Sequence, residues 1–387
     1  MKLMVVLPRV PGPLDKGDKL RAYHQLVELS KCYKLFVYCI AETGTPFSAK
    51  ETLLEFCEEV HTYKLTRRQS VVGAAACLFT GRPFQAGYFY NAQIHAAIKQ
   101  QFHRIKPDKI LFQLVRTAPY RQGLNAPVTI IDYMDALSEG YKRMGDKLKG
   151  IAGLLYKEEA RRLKRYEAEV FATFDKHIII SEQDKQLINH PERDAIAVIS
   201  NGVDTEYFSP VRHQQRYDLL FHGNMNYLPN VDCAMFIASQ IVPELKRRGR
   251  DVTFLISGAM PNKRVKKLGR RSGIEVTGWL NDVRIAYATS KVFVAPLQLG
   301  TGIQNKILEA MAMGLPCVVS PLAANALMLQ HNQQVLIGNT VAEYCTHIEN
   351  LLGNPALGQQ LTANALQHVQ QNYRWHDNVQ KLIKFIA

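Results

Sequence analysis

Residues 300–320 read GTGIQNKILEAMAMGLPCVVS, a glycine loop running into an apolar helical pattern that ends at Gly-Leu-Pro and a β-branched run. Gly300 and Gly302 leave room for a ligand to approach the backbone closely. A helix opening after Gly302 presents unpaired N–H groups and the positive end of its peptide dipoles, an arrangement suited to phosphate. Lys306 falls near the first turn, where the dipole disfavours a cation unless an anion, such as a diphosphate, sits there too. Glu309 lies too far along to cap the helix. A carboxylate so placed can accept hydrogen bonds from vicinal sugar or ribose hydroxyls. The residues alone leave a plainer alternative open, a tight loop with Glu309 a surface acid.

Such residues need elements to position them. The first half of the chain alternates strand-like runs (LMVVLP, KLFVYCI, PDKILFQ, PVTIIDYM, KHIIIS) with helical patterns such as DKLRAYHQLVELSK and the stretch 152–174. Turn residues cluster in ISNGVDTEYFSP, 199–210, and the alternation then restarts with YDLLFHGNM, DVTFLISG, IEVTGWL, KVFVAP and PCVVS. This pattern predicts an α/β protein of two doubly wound domains, 1–205 and 206–371, with ligand at the carboxyl ends of the strands in the cleft between them. The amphipathic tail 372–387 either caps the second domain or packs back on the first.

At 387 residues the chain is long enough for two cores, and its hydrophobic content of 47% is that of a globular protein. No apolar run reaches the roughly 20 residues of a membrane span. The start, MKLMVVLPRVPG, reads as a buried strand and not a leader. Seven scattered cysteines without a C-x-x-C pair predict reduced thiols in a cytoplasmic protein, with neither zinc nor a disulfide framework. The net charge of +14 favours an anionic partner. Between Tyr141 and Tyr166, nine Lys or Arg face three acids, and 67–91 is unusually apolar and aromatic for a connection. The basic run reads either as a solvated helix face or as a contact for anionic lipid, and 67–91 either as core or as a membrane- or acceptor-facing surface.

The motifs resemble those of the large retaining glycosyltransferase family with the GT-B fold, glycosyl transferases group 1. Its donor signature is Glu, seven residues, Glu, then A-x-A-x-G-x-P-V-V, and LEAMAMGLPCVVS (308–320) matches the second half. ISNGVDTEYFSP resembles its inter-domain motif, and TGWLNDVRIAYATSKVFVAP its nucleobase-side strand and helix. FHGNMNYLPNVDCAMFI and LPRVPGPLDKGDKLRAYHQL resemble a subgroup found in bacterial exopolysaccharide clusters. The resemblance implies that Glu309 holds the ribose, that Gly302, Ile303 and Gln304 meet the sugar and diphosphate, and that Trp279 and Leu280 border the base. Thr301 stands where the family has its first glutamate, so the usual sugar contact is changed. Gly223 and Asn224 follow the first strand of the donor domain, where relatives place Arg and Lys for the diphosphate. Lys306 is the substitute here, with Lys263 and Arg264 as weaker ones.

In the first domain Gly17 resembles the glycine that faces diphosphate and acceptor, followed by Lys19 and Arg21, whose other reading is a surface charge pair. Asp132 and Asp135 stand where many relatives carry a histidine. Asp135 either orients or deprotonates the acceptor hydroxyl or caps a helix. The resemblance implies a nucleotide-diphosphate sugar donor, a glycan or lipid-linked acceptor, cell-surface polysaccharide synthesis and no resident cofactor. Charge neutralisation falls to helix amides and Lys306, and no metal is expected, since no D-x-D or His/Cys cluster is present. The expected location is cytoplasmic, with possible peripheral attachment to the inner face of the plasma membrane. Competing readings are a nucleotide-sugar epimerase, a non-catalytic sugar-nucleotide sensor, and a nucleic-acid binder. The last is disfavoured because no recognition motif interleaves aromatics with the basic run.

Overall fold

The computed structural model describes residues 1–42, 48–211, 213–299 and 302–387. They form two compact units, Met1–Ser200 with Val379–Ala387, and Asn201–Asn378. The helix Trp375–Ile386 runs through the second division point. On one side Asn378 Nδ2 donates to Asn201 O (3.1 Å) within the second unit, and on the other Lys109 Nζ donates to Ile386 O within the first. The contacts thus divide the chain at 200/201 and 378/379, where the sequence reading drew 205 and 371.

The first unit holds strands β1 (Lys2–Leu7), β2 (Lys34–Glu42), β3 (Glu59–Leu65), β4 (Lys109–Gln113), β5 (Val128–Asp132), β6 (Lys176–Ile179) and β7 (Ala197–Val198). They pair in the order 3-2-1-4-5-6-7, all parallel, with Val5 of β1 opposite Val37 on one side and Leu111 on the other. Helices cover both faces, so the central strands are apolar throughout. In β1 every residue from Leu3 to Leu7 is buried, and β4 is buried along its length.

The second unit repeats the plan with β8 (Tyr217–His222), β9 (Phe254–Ser257), β10 (Ile274–Gly278), β11 (Ser290–Ala295), β12 (Cys317–Val319) and β13 (Leu336–Ile337). Their order is 10-9-8-11-12-13, again parallel. In both sheets the direction of winding reverses between the first and fourth strands. That point, at the carboxyl ends, is where an open parallel sheet offers a ligand crevice.

Three strands escaped the sequence reading. β3 is an edge strand that buries only Val60 and Leu65, so its seven residues carry no continuous apolar run. β7 and β13 are two residues long, too short for any period to show. The segment 67–91 folds as two helices, Arg67–Thr80 and Phe84–Phe89.

Candidate functional site

At the carboxyl edge of the second sheet, three strand ends converge through backbone bonds. Gly223 N donates to Ser257 O (3.1 Å), Met225 N to Ala259 O (2.7 Å) and Gly258 N to Gly278 O (2.9 Å). This convergence is possible only with glycine. A Cβ on Gly258, whose φ is 126°, would stand 1.9 Å from Gly223 O. One on Gly223 would stand 2.7 Å from Asn230 Nδ2 and 3.1 Å from Lys306 Nζ.

The helix Asn305–Ala312 faces this edge. It buries Ile307, Leu308, Ala310, Met311 and Ala312, which leaves Lys306 and Glu309 on its half-buried side. Its N-cap, Gln304, makes no side-chain capping bond, so no side chain at the cap occupies the first-turn amides. The helix start is instead anchored by Asn305. Its Oδ1 accepts from Asn201 Nδ2 (2.8 Å), and its Nδ2 donates to Gly202 O (2.9 Å). The Asn-Gly of the 199–210 motif is therefore a clamp on the helix as well as a turn.

Lys306 Nζ donates to Asn230 Oδ1 and lies 5.1 Å from the centre of the Phe221 ring. Asn230 Nδ2 in turn donates to Asn224 O (3.0 Å). Burial pulls the Lys306 ammonium down to about 8, because desolvation disfavours the charged form. Glu309 Oε2 accepts from the hydroxyl of the buried Tyr287 (2.8 Å). Burial raises its carboxyl above the ordinary range, against the opposing pull of Tyr287 and Lys306. His222, at the end of β8, bonds through Nδ1 with Ser257 Oγ (2.9 Å). Burial first, and then the Lys306 charge, push it down to about 3, so it is neutral at physiological pH. Among the described residues the local chemistry is a cation, a helix start without a side-chain cap and a carboxylate beside a glycine-lined strand edge. Such a site can neutralise a phosphate and hold hydroxyls beside it.

The structure thus brings Gly223, Asn224, Lys306 and Glu309 together with the helix start. Gly302, at φ 75°, and Ile303 are buried just before that helix. Gly300 and Thr301 lie outside the described residues. Trp279 is 61% exposed directly after β10 and Leu280 is half-buried, which removes the reading of Trp279 as core. Lys263 and Arg264 are exposed at the start of the helix Lys263–Leu268. Asn230, Tyr287, His222 and Asn305 escaped the sequence reading, and only the Asn-Gly at 201–202 carried a local signal.

Within the first unit Gly17 begins the helix Gly17–Leu29, with nothing within 4 Å of where a Cβ would point. Lys19 pairs with Asp15 (2.9 Å). Arg21 is not a surface group. It is fully buried, donating to Asp132 (2.6 Å) and Ile199 O (2.8 Å). Asp132 also accepts from Gln25 and from Met134 N, which makes it a structural hub. Asp135 is half-buried and is not a helix cap, since the helix Leu137–Lys147 begins after Ala136. The amide and hydroxyl of Ser138 at that helix start donate to the buried Glu167, whose carboxyl burial pushes up to about 7. Among the described residues no three His, Cys, Asp or Glu side chains gather as a metal site would require.

Comparison with known proteins adds the following. Residues 216–354 match the family described as Glycosyl transferases group 1. A Klebsiella pneumoniae protein described as an uncharacterized 44.6 kDa protein in the cps region is 23% identical over 238 residues, 57% of this chain. The match spans 58% of that relative's length, less than two thirds of it. Two solved structures share the fold over essentially the whole chain. A glycosyltransferase from Rickettsia africae superimposes with a TM-score of 0.69 at 13% identity, covering 100% of this chain and 97% of that one. HepE of Anabaena, solved in complex with UDP, gives 0.69 at 14% identity, covering 99% of each.

Proposed function

We propose, from the match of residues 216–354 to the family described as Glycosyl transferases group 1, that the protein transfers a sugar, with retention of anomeric configuration, from a uridine-diphosphate sugar to a glycan or lipid-linked acceptor in cell-surface polysaccharide synthesis. The observation that carries this reading is the Lys306–Glu309 helix set against the Gly223–Gly258 strand edge. The likeness to a UDP-bound fold relative supports the nucleotide, and the cps-region relative supports the setting.

In the proposed reaction the bond between the sugar C1 and the diphosphate oxygen breaks, and a bond from the acceptor oxygen to C1 forms on the same face. Negative charge grows on the departing diphosphate. Lys306 and the first-turn amides stabilise it without a metal, because they are fixed in place before the reaction begins. Glu309, oriented by Tyr287, accepts from the ribose hydroxyls. Asp135 is the proposed acceptor-side carboxylate, taking the hydroxyl proton as the new bond forms. A thermal-shift series with uridine, UMP and UDP tests the donor site, since a ligand that binds only the folded state raises its apparent stability. UDP should stabilise most, and Glu309→Ala should shrink the shift. No response to any nucleotide would sink the reading. A UDP-sugar converted in the absence of acceptor would point instead to the epimerase.

The proposal includes a peripheral contact with an anionic membrane. The helix Arg67–Thr80 buries only Ser70 and Cys77. It packs closely through Gly73 against Gly87 and exposes Val71, Val72, Leu78 and Phe79, the last at 92%. Beside it, the helix Gly150–Phe171 buries Ala160, Leu163, Val170 and Phe171 on one face and exposes Ile151, Leu154 and Leu155 on the other. Further along this helix Arg162 and Arg165 donate to Cys77 O (2.7 Å) and Gly81 O (2.9 Å), at the end of the helix Arg67–Thr80. Exposed apolar area of this kind, ringed by Lys and Arg, fits the interface of an anionic bilayer. Flotation with vesicles rich in phosphatidylglycerol should carry the protein, and Phe79→Glu should abolish it. Equal flotation with neutral vesicles would remove the electrostatic part.

A further inference from the structure

The cation at the edge of the second sheet is held by an uncharged partner. Among the described residues Lys306 Nζ makes one hydrogen bond, to Asn230 Oδ1, and no ion pair. A lysine so enclosed ordinarily sits on a carboxylate, because a desolvated charge without a counter-charge is costly. The Asn230 amide is oriented from both ends. Asn224 O can only accept and the ammonium can only donate, so Nδ2 faces the carbonyl (3.0 Å) and Oδ1 faces the lysine. The run GNMNYLPN, 223–230, supplies every part of this arrangement. A Cβ on Gly223 would stand 2.7 Å from Asn230 Nδ2, so only glycine leaves room for the amide. Asn224 provides the carbonyl. Asn230 itself is buried in the first turn of the helix Leu228–Phe236, where its main-chain N–H donates to Tyr227 O (3.0 Å).

The other groups facing Lys306 leave its charge in place. Glu309, one turn along the same helix, acts on it through space but takes its hydrogen bond from the Tyr287 hydroxyl. That hydroxyl also lies 3.3 Å from Lys306 O, where it meets the main chain and not the ammonium. His222, at the end of β8, is neutral. Cys233 follows Asn230 by one turn on the helix Leu228–Phe236, and Phe221 offers a ring face 5.1 Å from Nζ. A carboxylate at position 230 would keep the ammonium charged more firmly, and it would also occupy that charge. An amide fixes where Nζ stands and leaves the charge available to a ligand.

We infer that Asn230 is a positioning residue, a neutral holder that fixes the Lys306 ammonium and keeps its charge uncommitted for the diphosphate of the donor. The inference rests on the donor reading of this edge and deepens it. A charge held in a partly desolvated setting attracts an anion more strongly than one in water, and it needs no rearrangement when the anion arrives. The chemistry of position 230 then has a direction. Asparagine serves the site, and aspartate, of nearly the same shape, opposes it.

The test compares Asn230→Asp and Asn230→Leu with the wild type in the full chain. Calorimetry at pH 7 measures UDP and, as the control without phosphate, uridine. Labelling the lysine ε-carbons with 13C follows the Lys306 titration in the ligand-free protein, its signal identified by its loss in Lys306→Met. Asn230→Asp should weaken UDP roughly tenfold or more, the scale of one hydrogen bond to a charged group, while moving the titration midpoint above its wild-type position of about 8. Asn230→Leu should also weaken UDP, yet move the midpoint below that position, because the ammonium loses its acceptor. Uridine affinity should stay as it is in both. An asparagine that served the fold alone would not move the midpoint in opposite directions, and its loss would weaken uridine as much as UDP. Unchanged UDP affinity in a folded variant, midpoints that stay put or move together, or equal losses for the two ligands would overturn the inference. If Asn230→Asp fails to fold, with its second oxygen against Asn224 O, the downward shift and weaker UDP binding of Asn230→Leu decide alone. A wild type that ignores UDP while the midpoints still part would count against the donor reading, so the two failures are separable.

Discussion

The two sheets have the same winding, yet they finish their switch points in opposite ways. In the second unit the edge is lined by glycine: Gly223 and Gly258 come backbone to backbone, and a cation, Lys306, arrives from a helix. In the first unit the edge is furnished: Arg9, Asp18, Arg116 and Phe89 fill it with side chains, and the nearby Gly17 has open space around it. The difference teaches what each edge can recognise. Bare backbone and helix amides suit a phosphate that must approach closely, whereas an edge filled by its own side chains keeps such a group off the backbone.

The largest expected effect tests the cleared edge as a steric requirement. Gly258→Val puts a branched side chain into a 1.9 Å gap at φ 126°. The cost should be several kcal/mol, in the rare upper range for single substitutions, and soluble yield with thermal melting will show it. A melting temperature within a few degrees of wild type would break the claim that these glycines exist for backbone approach. Next comes the charge. Lys306→Met should lower transfer by about 100-fold, the scale for removing one preorganised donor to a developing anion. It should also reduce the UDP thermal shift.

A smaller effect is pH-dependent. Lys306 in the free protein is held near 8, so it is charged below that value and neutral above it. UDP affinity should therefore be full at pH 7 and decline as pH rises through 8, at most about tenfold per unit. Calorimetry from pH 6.5 to 9.5 checks this, and Lys306→Arg should flatten the curve. The smallest effect sharpens the contrast from the other side. Gly17→Ala meets nothing within 4 Å, and its stability should stay within about 0.5 kcal/mol of wild type. Loss of transfer in a variant that melts normally would show that the open space at Gly17 serves a ligand rather than the fold.

Much of this molecule was legible from residue order. Runs such as LMVVLP and KILFQ read as strands because a parallel sheet covered on both faces makes every position apolar. Gly302, Lys306 and Glu309 could be grouped from residue order because they lie in one loop and one helix. The first-unit residues were read less well. Arg21 looks like a surface charge beside Lys19, yet it is buried on Asp132, 111 positions away. The exposed face of Arg67–Thr80 could be suspected from its composition but not separated from core, because burial depends on what packs against it.

What residue order determined by itself was the alternation of strands and helices, the repeat of that plan in two halves, and a glycine loop leading to a lysine and a glutamate. What only the tertiary structure decided was the company those groups keep. Tyr287 reaches Glu309 across 22 residues, Asn230 reaches Lys306 across 76, and Asn201 reaches Asn305 across 104. The physical reason is that a hydrogen bond needs its partners within about 3 Å, and only the strand order 10-9-8-11-12-13 brings residues so distant in the chain to that range.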